Sequence, residues 1–126
     1  MKPKTNKPLA EQIPLFQTVY KLYVAWYYRC ESMPKKDRFT IGQKTEKMLL
    51  KILILTTAAY HTKNLTTKIE NLSRANTALE CVKIIVRLAK DVKALEQRWY
   101  VDYEARLQEI GKMLGGWMSS INKTNS

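Results

Sequence analysis

After Pro34 the chain contains no proline, so nothing from Lys35 onward lacks an amide proton or wedges a ring against the preceding helical turn. The prolines stand at 3, 8, 14 and 34, and the glycines only at 42, 111, 115 and 116. A sequence punctuated so sparsely can form long helices wherever its apolar residues recur every three or four positions, and they do so along nearly the whole chain. Pro14 suits a first helical position, where the missing amide would be unpaired anyway. Leu15, Phe16, Val19, Leu22, Tyr23, Trp26 and Tyr27 then mark one face of a helix predicted to reach about Ser32. Pro34 closes it and opens a basic loop, Met33-Pro34-Lys35-Lys36-Asp37-Arg38.

Thr40 followed by Gln43 has the form of a capping box, which predicts a second helix from Thr40 to about Lys63, ended by Asn64. Its segment Met48 to Leu55 is apolar around nearly the whole circumference. Leu50 and Ile54 point away from the stripe of Ile41, Met48, Ile52 and Ala59, so this helix is expected to be covered on more than one side. A buried strand is the alternative for such a run, but Gln43 to Lys47 ahead and Ala58-Ala59 behind favour helix. The third helix is predicted over Thr67 to Lys93, through Ile69, Leu72, Ala75, Leu79, Val82, Ile85 and Val86. The fourth is predicted over Glu96 to Ile121, through Trp99, Tyr103, Leu107, Ile110, Met113, Leu114, Trp117 and Met118. Four helices on short loops predict an all-α, antiparallel up-down-up-down four-helix bundle. The organisation read from this is a flexible basic arm over 1–12, a bundle domain over 13–122 and a tail over 123–126.

Charge is the second constraint. Twenty-two lysines and arginines face eleven acidic residues, a formal net charge of +11 on 126 residues. The excess lies mostly in the first half, where 12 cations face 4 carboxylates up to residue 63. Net charge by itself keeps a protein soluble, but an imbalance this large on a small body points to a polyanion, RNA or DNA. Two distant cysteines, Cys30 and Cys81, do not make a disulfide framework, which fits a reducing cytoplasmic setting. The N-terminal stretch lacks the apolar centre of a signal peptide, and no apolar run approaches the ~18 residues of a membrane span.

No catalytic site is legible. His61 is the only histidine and has no cysteine at metal-ligand spacing, so no zinc site, cofactor or enzyme is expected. Glycine-rich phosphate loops, the Gly-x-Ser-x-Gly elbow and the His-Glu-x-x-His pair are all absent. What remains is cationic. Lys44, Lys47 and Lys51 lie at i, i+3 and i+7 on one side of helix two, with Lys35, Lys36 and Arg38 in the loop that feeds it. Together they form a candidate phosphate-binding ridge, against the alternative of a solvated face. On helix three, Lys83, Arg87 and Lys90 are embedded among bulky apolar residues, an interface-like pattern, although Asp91 could pair with Arg87.

Gly111 and Gly115 share a face where a neighbouring helix could approach closely, while Gly115-Gly116 could instead end the helix; the apolar residues that follow favour close packing. The aromatic set Tyr20, Tyr23, Trp26, Tyr27 and Tyr28 is read as mostly core, with base stacking by one or two exposed tyrosines as the alternative.

The stretches Met33-Pro34-Lys35-Lys36-Asp37-Arg38-Phe39-Thr40-Ile41-Gly42-Gln43 and Glu109-Ile110-Gly111-Lys112-Met113-Leu114-Gly115-Gly116-Trp117 resemble the two signature regions of the accessory variability determinant (Avd) proteins of diversity-generating retroelements. Arg87-Leu88-Ala89-Lys90-Asp91 is similar as well, and the likeness runs from Ile13 to about Ile121. A related group, encoded within intervening sequences of bacterial large-subunit ribosomal RNA genes, matches the last helix less well. The resemblance implies a ring-like homo-oligomer, a pentameric barrel of four-helix bundles. It also implies a non-catalytic role, binding a reverse transcriptase and its template RNA or cDNA to support mutagenic retrohoming. Basic positions of the family fall on Lys83, Arg87 and Lys112; Lys83 and Lys112 stand where arginine is common, which keeps the charge but loses the bidentate fork. The alternative, by likeness to the ribosomal group, is a structural or protein-interaction bundle without a nucleic-acid role.

Overall fold

The structure is a computed structural model that describes residues 13–125, with side chains to 123. The basic arm over 1–12 lies outside the described residues, as does Ser126. Helix α1 spans Pro14–Cys30, with Pro14 in the first turn as expected. Residues 31–33 form the turn that follows, and Met33 is buried.

The second helix begins earlier than its sequence suggests. Pro34 is the N-cap of a helical turn, Lys35–Asp37, which continues through a π-helical turn, Arg38–Gly42, into α2, Gln43–His61. The amides of Asp37 and Arg38 both donate to the Pro34 carbonyl, at 3.0 and 2.9 Å. Lys35, Lys36 and Arg38 therefore stand on helix rather than in a loop. The capping-box reading of Thr40 fails for the same reason: a capping residue needs extended backbone, and here the backbone is already helical. The Thr40 hydroxyl donates back to the Lys36 carbonyl at 2.9 Å instead.

Asn64, read as the end of helix two, caps the next helix, its Oδ1 accepting the Thr67 amide at 3.0 Å. Helix α3 spans Leu65–Asp91. It ends with the amides of Ala94 and Leu95 folding back onto the Ala89 carbonyl, a closure that places Lys93 at a left-handed φ of 64°. Helix α4, Gln97–Asn125, runs straight through Gly111, Gly115 and Gly116 and past Ile121, so the glycine pair does not end it.

Each helix packs on its two neighbours in the cyclic order α1, α2, α3, α4, and the backbones of the diagonal pairs nowhere approach within 8 Å. With turns of three to five residues between α2, α3 and α4, this is the antiparallel four-helix arrangement. The core interleaves Val19, Leu22 and Trp26 of α1 with Leu49 and Ile52 of α2, Leu72, Leu79 and Val82 of α3, and Leu107, Ile110 and Leu114 of α4. Burial of each such side chain contributes about 1.5–3 kcal/mol. Thr56 enters this core with its hydroxyl on the Ile52 carbonyl at 2.7 Å, whereas the buried Thr45 hydroxyl has no partner.

Leu50 and Ile54 are exposed in the single chain, Ile54 by 67%, so a cover on that side would have to come from outside the bundle. Two packing expectations are corrected. Of the set Tyr20, Tyr23, Trp26, Tyr27 and Tyr28 only Trp26 is fully buried, whereas Tyr20, Tyr27 and Tyr28 are exposed. A Cβ at Gly111 would sit 3.6 Å from Leu79 and Lys83 of α3, but one at Gly115 or Gly116 would have nothing within 4 Å, so no described helix packs closely on them.

Candidate nucleic-acid interface

Lys44, Lys47 and Lys51 are all exposed on α2, and none has a carboxylate within 4 Å among the described residues. At 1.5 Å of rise per residue, Lys44 and Lys51 stand about 10 Å apart along the axis, with Lys47 between them. Glu46, the one acidic residue in this stretch, is half-buried; burial raises its pKa, and it acts electrostatically on Cys30 and Tyr23 of α1. Lys35 and Lys36 stand about two turns further toward the helix start, also exposed and, among the described residues, also without a carboxylate within 4 Å.

Arg38 does not belong to this exposed set. Its guanidinium turns inward and donates to the backbone carbonyls of Glu31 and Met33, both at 3.4 Å, and its Nε is buried without a partner. It holds the turn between α1 and the second helix.

The cations of α3 divide similarly. Lys83 is half-buried, pairs with Glu80 at 3.2 Å and reaches over Gly111 of α4. Lys90 pairs with Asp91 at 3.5 Å and sits 4.6 Å from the centre of the Tyr100 ring. Arg87 is exposed and pairs with no carboxylate among the described residues; Asp91, the partner its spacing suggested, is taken by Lys90. Tyr100 connects this set, since its phenol is bonded to Glu104 and feels both Arg87 and Asp91; the Glu104 bond is the main cause of its raised pKa. Lys112 is exposed on α4, next in sequence to Gly111. Among the described residues, Lys44, Lys47, Lys51 and Arg87 are left without a carboxylate partner.

Sequence reading missed a second cationic cluster. The Arg29 guanidinium lies 3.6 Å from the centre of the Trp99 ring, with Arg98 5.0 Å from the same ring. Nothing in the sequence marks this pair, because Arg29 and Trp99 meet across α1 and α4. No three His, Cys, Asp or Glu side chains converge in a metal-binding group among the described residues, and no described helix is long and apolar enough to cross a membrane.

No curated protein matches the chain. A family model described as bAvd-like does match, over residues 13–121, from the residue before α1 almost to the end of α4. That span takes in the second-helix lysines, the α3 cations and the glycines of α4, and on this match the chain belongs to the bAvd-like family, as an Avd-type protein.

Proposed function

We propose that the chain is the non-catalytic accessory protein of a diversity-generating retroelement, which binds the reverse transcriptase and its template RNA or cDNA through a basic surface, as a cytoplasmic homo-oligomer. Family membership supports the setting. The observation that carries the binding role is the row of exposed lysines without carboxylate partners on α2. Such a row neutralises phosphates and releases their counterions, giving strong salt dependence and little sequence selectivity. The retroelement role itself is tested by co-purification with a retroelement reverse transcriptase and its template RNA.

The exposed apolar residues Leu50 and Ile54 on α2, Ile84 and Leu88 on α3, and Val92 just past its end support assembly into an oligomer of bundles. The ring of five is the family's implication for them. The competing reading, a protein-interaction bundle without nucleic acid, draws support from the internal pairing of Lys83 and Lys90.

A salt titration of RNA binding separates the two. Wild type is expected to lose affinity steeply as salt rises. The triple variant Lys44→Ala, Lys47→Ala, Lys51→Ala is expected to lower the slope of log K against log salt by about 0.9 for each duplex phosphate contact removed. A flat wild-type slope selects the protein-interaction reading.

A further inference from the structure

A cavity of about 540 Å³ opens at the end of the bundle where α1 begins and α2 ends. All four helices contribute to it: Phe16 from α1, Tyr60 from α2, Lys68 from α3, and Met113 and Trp117 from α4. Phe16 and Tyr60 meet edge to face at 6.1 Å, which leaves Tyr60 exposed at the rim, and His61 lies edge-on to it at 5.2 Å. Lys68 is half-buried in the wall and has no carboxylate within 4 Å among the described residues. Its volume falls in the ordinary range of sites that enclose a small organic group.

We propose that this cavity receives one unpaired base of a single-stranded nucleic acid, stacked against Tyr60 and Trp117, with the attached phosphate on Lys68. The inference rests on the nucleic-acid reading above and adds to it a preference for single strands. Two observations select this occupant. The walls present aromatic rings, on which any base can stack without a sequence requirement. Among the described residues the only charge in the walls is Lys68, which has no carboxylate within 4 Å, and a purely apolar guest would bury it further uncompensated. An acidic, apolar peptide would satisfy the same walls, but the net charge of +11 favours a polyphosphate. Along the sequence no acidic residue occurs between Glu46 and Glu70, a stretch that holds Lys51, Lys63 and Lys68.

The test uses the full chain, with a labelled short oligouridylate and a blunt RNA duplex as separate probes. Tyr60→Leu is expected to weaken oligouridylate binding roughly 5- to 100-fold, the usual loss for one stacked base, while duplex affinity stays within about twofold. Lys68→Gln is expected to lower the salt slope for the single strand by about 0.7, one phosphate contact. Oligouridylate is also expected to quench indole emission, and that quenching is expected to disappear in Trp117→Phe. Circular dichroism confirms that each variant is folded. Unchanged single-strand affinity in Tyr60→Leu, or equal losses for both probes, overturns the cavity assignment and leaves the α2 ridge intact. A wild-type chain that binds neither probe overturns both readings together.

Discussion

The contact between Gly42 and Cys30 is where one residue has least room to change. Trp26 donates its indole proton to the Gly42 carbonyl at 3.0 Å, which draws the π-helical turn against α1. A Cβ at position 42 would lie 3.0 Å from the Cys30 Sγ, tighter than ordinary packing allows. Burial raises the Cys30 thiol to about 12, so it stays a neutral, bulky neighbour at any working pH. Gly42→Ala is therefore expected to destabilise the bundle by about 1 kcal/mol: the overpacking cost of about 1–3 kcal/mol outweighs the helical preference for alanine. Urea unfolding checks this. In a Cys30→Ala background the clash partner is gone, and the same substitution is expected to become neutral or stabilising. Equal losses in both backgrounds would show that the sulfur is not the obstacle.

At the scale of elements, helix number and order were legible because only three turns interrupt the 3.6-residue pattern after Pro14. The start of the second helix was not, because Thr40 and Gln43 match a local capping pattern that a distant contact overrides. Trp26 on Gly42 and Met33 in the core hold the chain helical from Lys35, and only tertiary packing supplies that. The α1 aromatics misled for a related reason. The buried stripe is the narrow one of Leu15, Val19, Leu22 and Trp26, which leaves Tyr20, Tyr27 and Tyr28 beside it rather than within it. In the candidate site, exposure of Lys44, Lys47 and Lys51 followed from helical spacing. The inward turn of Arg38 did not, because its acceptors are backbone carbonyls that no sequence pattern marks. Likewise, the cavity of Phe16, Tyr60, Lys68 and Trp117 draws on four helices, beyond the reach of any local motif. The glycines of α4 yield a prediction at this scale. Gly115 and Gly116 are exposed and helical, and a methyl group on either meets nothing within 4 Å among the described residues. Gly115→Ala with Gly116→Ala is expected to stabilise the isolated chain by about 1–2 kcal/mol through helix preference. Thermal unfolding measures this. If the stability of the chain rises but its sedimentation shows smaller assemblies, the bare stripe belongs to an interface between copies.

Across the whole molecule, attraction between charges contributes little to holding the helices together. The four ion pairs formed between described residues join partners no more than four positions apart, all on α3, α4 or the turn between them. None links two bundle helices, and none involves α1 or α2. Exposed pairs of this kind are worth at most about 1 kcal/mol each. Meanwhile +11 of net charge is confined to one small body, and self-repulsion opposes compactness. The fold therefore rests on apolar burial, and the lysines of α2 impose an electrostatic cost that folding alone does not require. Lys47→Glu separates these roles. It reduces the repulsion and places a glutamate four residues before Lys51, the favourable order along a helix, worth about 0.2–0.5 kcal/mol. The free protein is expected to unfold at higher temperature in low salt. That advantage should vanish at high salt, as the Debye length contracts from about 30 Å at 0.01 M to about 3 Å at 1 M. RNA affinity is expected to move the opposite way, falling most where salt is lowest. A variant that is both less stable and still fully competent for RNA would mean that Lys47 serves the fold and not the ligand.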